Sequence, residues 1–413
     1  MRETATTPSG MLAFEKARER ILWSIQPISC IESVELHSAL GRILAHDIVS
    51  PINVPTAANS AMDGYAVAAE STAPQTAMAQ IGTAHAGHPF AGKVGPGECV
   101  RIMTGAWLPA GTDAVVMQEN ADTDGEYVWF QHAPSVGENI RPAGDDICRN
   151  SQVLATGRHL RAADIGVLAT MGTTEVTVVR RPQVAFFSTG DELRPPGAQL
   201  SPGQLFDSNG PMLGALLAEA GVECVDLGHV SDDPDSLAKA LEKGANRADA
   251  IVSTGGVSVG DADYIREVLE TKGSVDFWRV AIKPGKPLAF GKVGGAVFFG
   301  LPGNPVSAAV TFMQLVRPAL AKLAGGRPAA SQRHHRKLET GFNRKPGRTE
   351  FMRGQQFTGN DGEPWVRAFG HQGSGVLSSM SAADCFVVLE ADSVGASTGS
   401  QVTVEPFEQR VWE

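Results

Sequence analysis

Apolar positions along this chain change rhythm three times, and each change predicts a different kind of structure. Over residues 11–26, Leu12, Ala17, Ile21 and Leu22 form part of an apolar stripe between charged positions, the spacing of an amphipathic helix. A second, short helix is expected near 38–43. From about 47 to 145 the apolar runs shorten, at 64–67, 99–103, 114–117 and 127–132, and glycine, proline and acidic turns separate them. That pattern predicts a β-rich region. Residues 161–178 return to a helix followed by a strand. They are expected to pack against the N-terminal helix, so that 11–46 and 147–180 make one discontinuous linker domain around a β-rich domain at 47–146.

From 181 onward, longer helical stretches alternate with short apolar runs. Val184-Ala-Phe-Phe187 reads as a buried strand, and Leu213, Leu216, Leu217 and Ala220 mark one face of a helix. Strands are expected at 224–227, 250–252, 276–282, 288–290 and 297–300, with helices at 234–245, 262–271 and 305–322. This alternation predicts a mostly parallel sheet flanked by helices over 181–326, whose strand carboxyl ends are the usual place for ligand-binding loops. Residues 325–331 read as a linker, and His334-His335 as part of an exposed polar connection. Short strands at 350–353, 365–368, 385–389 and 401–404 predict a small β barrel or sandwich over 330–413. The fold class is therefore multidomain α/β, with a central three-layer α/β domain.

Composition narrows the function. The 413 residues suffice for several domains, and 46 glycines and 25 prolines specify many turns. A net charge of −10, from 35 basic and 45 acidic residues, disfavours a broad nucleic-acid surface but leaves room for a local basic cleft. The five cysteines, at 30, 99, 148, 224 and 385, form no CxxC pair and point to a reducing compartment. No apolar segment reaches membrane-spanning length, and residues 1–10 lack the apolar core of a secretory signal. A cytoplasmic location is expected, with neither a membrane nor a nucleic acid as partner.

Candidate chemistry gathers in four turns that follow β-type sequence. Ser188-Thr189-Gly190-Asp191-Glu192 offers hydroxyls and a glycine amide for an oxyanion, with carboxylates for a metal. Gly255-Gly256 and Ser258 repeat this chemistry ahead of Asp261 and Asp263, which read equally as helix N-caps or magnesium ligands. Lys283-Pro-Gly-Lys286 holds two ammonium groups on a constrained turn, and Arg279 adds a guanidinium. Leu301-Pro302-Gly303-Asn304-Pro305 closes a strand and opens a helix, where Asn304 is free to cap or to touch a ligand. Further turns carry Asp63, Thr104-Gly105, Asp145-Asp146 and His371-Gln-Gly-Ser374. There is no Gly-Lys-Ser/Thr ending of a P-loop and no GxGxxG after a strand. No Ser/His/Asp set and no zinc ligand cluster stand out. The residues alone leave two classes open beside an oxyanion enzyme of unknown substrate: a nucleotide-dependent phosphotransferase or nucleotidase, and a non-catalytic scaffold.

Taken together, Asn59-Ser-Ala-Met-Asp-Gly-Tyr-Ala66, Arg101-Ile-Met-Thr-Gly105, Phe187-Ser-Thr-Gly-Asp-Glu-Leu193, Ser253 to Asp263, Ile282-Lys-Pro-Gly-Lys-Pro287, Gly300-Leu-Pro-Gly-Asn-Pro-Val306 and Gly370-His-Gln-Gly-Ser374 make the chain resemble the MoeA family of molybdopterin molybdenumtransferases. The resemblance spans nearly the whole chain. It implies insertion of molybdate into adenylylated molybdopterin with release of AMP, and magnesium as the metal. It also implies an elongated homodimer whose cleft joins the central domain of one subunit to the second domain of the other. Carried over position by position, Glu192 and Asp263 organise metal or substrate, while Asp63 and Asp146, with Thr104, approach from the partner subunit. Arg279, Lys283 and Lys286 match the basic surface for phosphate or molybdate, and Ser374 is a secondary anion contact. Transient contacts with the molybdopterin adenylyltransferase and with molybdoenzyme assembly factors follow from the same resemblance. A related module occurs in gephyrin, an animal protein that also anchors receptors, which keeps the scaffold alternative in view.

Overall fold

A computed structural model describes residues 10–256, 268, 273–326 and 332–407. The chain divides into two compact units, Glu32–Val178 and the remainder, Met1–Ile31 with Val179–Glu413.

In the larger unit a six-stranded sheet runs in the order Glu223–Val230, Gln183–Thr189, Ala250–Thr254, Ala296–Leu301, Pro287–Val293, Gly273–Arg279. The first four strands are parallel and the last two antiparallel. Alternate side chains leave on opposite faces. Val184, Phe186, Val252 and Phe299 therefore join one core with the helices Asn209–Glu219 and Pro305–Thr311. Ala185, Phe187, Ile251 and Phe298 join another with the helix Pro234–Ala245. Burial on both faces explains why these strands read as unbroken apolar runs. Asp233 opens the Pro234–Ala245 helix by accepting the Ser236 N–H at 2.9 Å, with Pro234 at the first helical position. A long helix runs from Pro305–Thr311 through a π turn, Phe312–Val316, into Arg317–Leu323.

The N-terminal helix, Phe14–Ser24, belongs to this unit: Phe14, Ala17 and Ile21 sit in the core formed with Leu315 and Leu320. This corrects the expected packing of 161–178 against it. Phe14, Ala17 and Ile21 of that helix are buried in the α/β core, and residues 34–54 supply the partner surface instead. Their Val34, Leu36, Leu44 and Ile48 cluster with Leu154, Leu160, Leu168 and Val178 inside the smaller unit. The helix expected at 38–43 is only a 3-10 turn, Leu36–Ser38, followed by turns and bridges. Six strands of the β-rich region form one sheet, in the order Ala114–Met117, Gly64–Val67, Glu98–Ile102, Ala77–Ala84, Tyr127–Phe130, Ala121–Thr123.

The C-terminal strands close into a barrel, because Thr349–Thr358 pairs with both Pro364–Ala368 and Cys385–Leu389. His334 and His335 are strand residues here, paired with Val404 and Thr403, rather than an exposed connection. All five cysteines are free, and burial pushes the Cys99 thiol up to about 12. Among the described residues no helix is long and apolar enough to cross a membrane.

Candidate anion-binding site

Three of the predicted turns lie side by side because their strands are neighbours in the parallel sheet. Ser188 is in register with Thr254, and Thr254 with Leu301. The first two turns can touch only because Gly255 lacks a side chain: at its φ of +95° a Cβ would lie 2.2 Å from the Thr189 carbonyl oxygen. Gly303 lies against it, where a Cβ would be in ordinary contact with Gly255 Cα at 3.6 Å. The Asn209 amide donates to the Gly303 carbonyl at 2.6 Å and ties in the next helix. Gly256 also has positive φ, at +63°.

Ser188 and Thr189, expected as anion donors, are committed elsewhere. The buried Ser188 hydroxyl donates to Asp207 at 2.5 Å. Asp207 in turn accepts the Asn209 and Gly210 N–H groups at 2.9 and 3.0 Å. The Thr189 hydroxyl donates to Asp232. Each hydroxyl has one proton, so neither remains a donor for a ligand without breaking these bonds. His229 Nε2 donates to the Gly190 carbonyl at 2.9 Å. The exposed Glu192 carboxylate folds back over Gly190, where a Cβ would come within 2.8 Å of it. That carboxylate has no hydrogen-bond or ion-pair partner among the described residues.

The basic turn opens a cleft of about 480 Å³, lined by Arg279, Lys283–Pro287, 302–304, Ser307, Arg348 and 372–374. Predicted residues Arg279, Lys283, Lys286, Pro302, Asn304 and Ser374 therefore share one cavity. Among the described residues, four cations and no carboxylate line it. Asn304 occupies the N-cap position of the Pro305–Thr311 helix, yet its side chain makes no capping bond; the Ser374 carbonyl accepts the Val306 N–H at 3.0 Å instead. Lys283 is ion-paired with the buried Glu350 at 2.6 Å. Lys286 and the Arg348 side chain have no partner among the described residues.

The turn between the lysines lies directly on the Pro305–Thr311 helix. Gly285 has φ +111°, and a Cβ there would meet Thr311 Oγ1 at 2.4 Å and the Ser307 carbonyl oxygen at 3.3 Å. Both the positive φ and the contact exclude a side chain. Gly285→Ala is expected to cost about 2–4 kcal/mol of stability, read from the denaturant midpoint, and to weaken oxyanion binding as the lysines move. An unchanged midpoint would refute this account of the turn.

The far wall depends on Arg353, which is fully buried. Its guanidinium donates to the carbonyls of His371, Gln372 and Gly373 at 3.2, 3.2 and 2.9 Å, and to Ser379 Oγ at 3.0 Å. Burial lowers its pKa below the ordinary arginine value, against the opposing pull of Glu350.

Asp63 and Thr104 meet in the smaller unit. Asp63 Oδ1 accepts both the N–H and the hydroxyl of Thr104, each at 2.7 Å. These bonds, the backbone one first, hold the Asp63 carboxyl below its usual range. A carboxyl whose pKa falls on folding contributes stability that is complete above about pH 4 and lost as pH drops through the folded value. Asp63→Asn, which does not titrate, should therefore flatten the acid limb of the pH–stability curve. Identical acid limbs in the two proteins would disprove the lock. Asp146 is exposed on the turn after Ile140–Arg141, the strand that pairs with Asn59–Ser60. Ser258, Asp261 and Asp263 lie outside the described residues.

Three family models account for most of the chain: the MoeA N-terminal region (domain I and II) over residues 12–172, a probable molybdopterin binding domain over 185–322, and the MoeA C-terminal region (domain IV) over 335–407. The molybdopterin molybdenumtransferase of Haemophilus influenzae is 42% identical over 400 residues, covering 96% of this chain and 99% of that protein. The chain belongs to the MoeA family. Molybdopterin molybdenumtransferase 2 of Mycobacterium tuberculosis is 34% identical, covering 90% of this chain and 94% of that one. The solved MoeA structure from Pyrococcus horikoshii superposes with a TM-score of 0.82 at 34% identity, covering 97% of this chain and all of that one.

Within this MoeA-family chain, the site also holds Arg348, Ser307 and Asp232, which the motifs alone do not single out. A signal for Arg348 exists, since Pro346-Gly347-Arg348 repeats the proline–glycine–cation order of the basic turn. Asp232 has no such signal, because its role comes from the neighbouring strand that brings it to Thr189. Among the described residues, no group of three or more histidine, cysteine or acidic side chains is placed to hold a metal ion.

Proposed function

We propose that this chain transfers molybdenum from molybdate to adenylylated molybdopterin, forming the molybdenum cofactor and releasing AMP. The observation that carries the reading is the cleft lined by Arg279, Lys283, Lys286 and Arg348, with no carboxylate among its described lining residues, in a protein of net charge −10. Such a concentration of cations suits a tetraoxyanion beside a phosphoryl group. The relatives' shared name, molybdopterin molybdenumtransferase, supplies the substrate class.

The same reading assigns roles to the chain's own residues. Lys286, Arg348 and Arg279 bind the anionic groups and neutralise charge that grows as an oxygen of water or molybdate displaces the adenylyl linkage. The substrate's dithiolene supplies the sulfur ligands for molybdenum, so no protein thiol is required. Magnesium fits the same reading. It binds through one or two carboxylates together with substrate phosphates, and Glu192 presents an unpaired, exposed carboxylate beside the glycine turns. Magnesium, when bound, would neutralise phosphate charge there. Asp263 stands as its second ligand on the family pattern alone. On that pattern too, a second copy of the chain brings Asp63, Asp146 and Thr104 to the cleft, and the adenylyltransferase hands over its product transiently.

The test supplies the purified full chain with adenylylated molybdopterin, molybdate and magnesium. AMP release together with cofactor able to activate a molybdoenzyme is expected. Turnover of ATP with no need for pterin or molybdate would replace this reading with a nucleotidase.

A further inference from the structure

Glu350 is a buried carboxylate beside the cleft, and it organises two of the four cations that line it among the described residues. Strand Ile282–Lys283 pairs in parallel with the barrel strand Thr349–Thr358, which places Lys283 in register with Glu350. Thr349 N–H donates to the Ala281 carbonyl at 2.9 Å and fixes that junction. One Glu350 oxygen then lies 2.6 Å from Lys283 Nζ, and the other 3.1 Å from Arg344 Nε. The Glu350 and Arg344 side chains are 5% and 7% exposed, whereas Lys283 is 43% exposed. The lysine ammonium is thus held by an ion pair while the residue lines the cleft. Arg344 extends the arrangement: its guanidinium also donates to the carbonyls of Arg348 and Glu390. Glu350 therefore holds Lys283 directly and the Arg348 backbone through Arg344.

We infer that Glu350 is a positioning residue for the anion cleft, giving up some affinity for the bare oxyanion in order to hold the cations in the geometry that turnover needs. The inference rests on the molybdenumtransferase reading above. The physical trade is between two terms. A negative charge one side chain away from the bound oxyanion opposes binding at intermediate dielectric. A free lysine, by contrast, loses rotamer freedom when a ligand orders it, and a misplaced donor slows a reaction that depends on orientation. Glu350 accepts the first cost and removes the second. The neutral isostere separates them, because it keeps the shape and one acceptor but drops the charge.

The experiment uses the full chain and two readouts, molybdate binding by calorimetry and AMP release from adenylylated molybdopterin. Glu350→Gln is expected to bind molybdate about three- to tenfold more tightly while turning over at least about tenfold more slowly. In a Lys283→Gln background the same change should slow turnover by less than about threefold, since the side chain it positions is already gone. Glu350→Asp keeps the charge but retracts it by one methylene. It is expected to bind molybdate within about twofold of the parent and still turn over more slowly. A parallel fall in affinity and rate, or full additivity with Lys283→Gln, would show a merely structural role and overturn the inference. If Glu350→Gln does not fold, a Glu350→Asp protein with parental turnover overturns it equally. A parent protein that neither binds molybdate nor releases AMP would instead sink the functional reading.

Discussion

Lys286→Ala is expected to lower AMP release by about 100- to 1000-fold, the range seen when one preorganised donor to a developing oxyanion is removed. Its stability should stay within about 1 kcal/mol of the parent. The two expectations separate because of where the charge sits. Lys286 lines the cleft, is half-buried, and has no partner among the described residues. The contact that holds the turn, Val280 N–H to the Lys286 carbonyl at 2.8 Å, is made by the backbone and survives truncation. Lys283 is a poorer probe, since its removal strips the buried Glu350 of one of its two ion-pair contacts. Steady-state AMP release and a thermal melt on the same preparation decide the matter. A rate within about threefold of the parent would remove Lys286 from the site.

Arg353→Met should act in the opposite way, through the fold first. The replacement fills much of the same space but leaves the carbonyls of His371, Gln372 and Gly373 without the donors that now satisfy them. Losing several bonds to one buried charged group is expected to cost about 3–5 kcal/mol. The 371–374 loop should loosen, and with it the Ser374 carbonyl that accepts the Val306 N–H. Faster amide exchange at Val306 and a lower denaturant midpoint are the readouts. Arg353→Lys should not rescue the loop, because an ammonium has no planar fork to span three carbonyls and a hydroxyl. A lysine variant with parental exchange at Val306 would show that charge alone suffices.

Much of the site is legible as chemistry in the amino-acid sequence. Lys283-Pro-Gly-Lys286 announces two cations on a rigid turn, and the turn lines one cleft with Arg279, Asn304 and Ser374. The hydroxyls are the exception. Ser188 and Thr189 have the right composition for an oxyanion turn, but hydrogen bonds to Asp207 and Asp232, 19 and 43 residues further along the chain, consume their protons. Composition states which donors exist, while only the packed fold states which remain unspent. The Pro-Gly-Arg order at Arg348 marks a cation on a turn but not its cleft, which is completed by a barrel strand that meets the basic turn through the Lys283–Glu350 pairing.

What the sequence determined by itself is local in origin. Period-two and helical spacing set the strands and helices, glycine and proline set the turns, and the ordered set of motifs set the family. The N-terminal helix shows the limit. Its stripe of Ala17 and Ile21 declared that it would be buried, but an apolar face carries no address. Tertiary structure assigned it to the core with Leu315 and Leu320. The same holds for charge. Net −10 is a sum over residues, whereas a four-cation cleft is a matter of which strands pair, and strand pairing between positions 283 and 350 is decided by long-range register that no local spacing encodes.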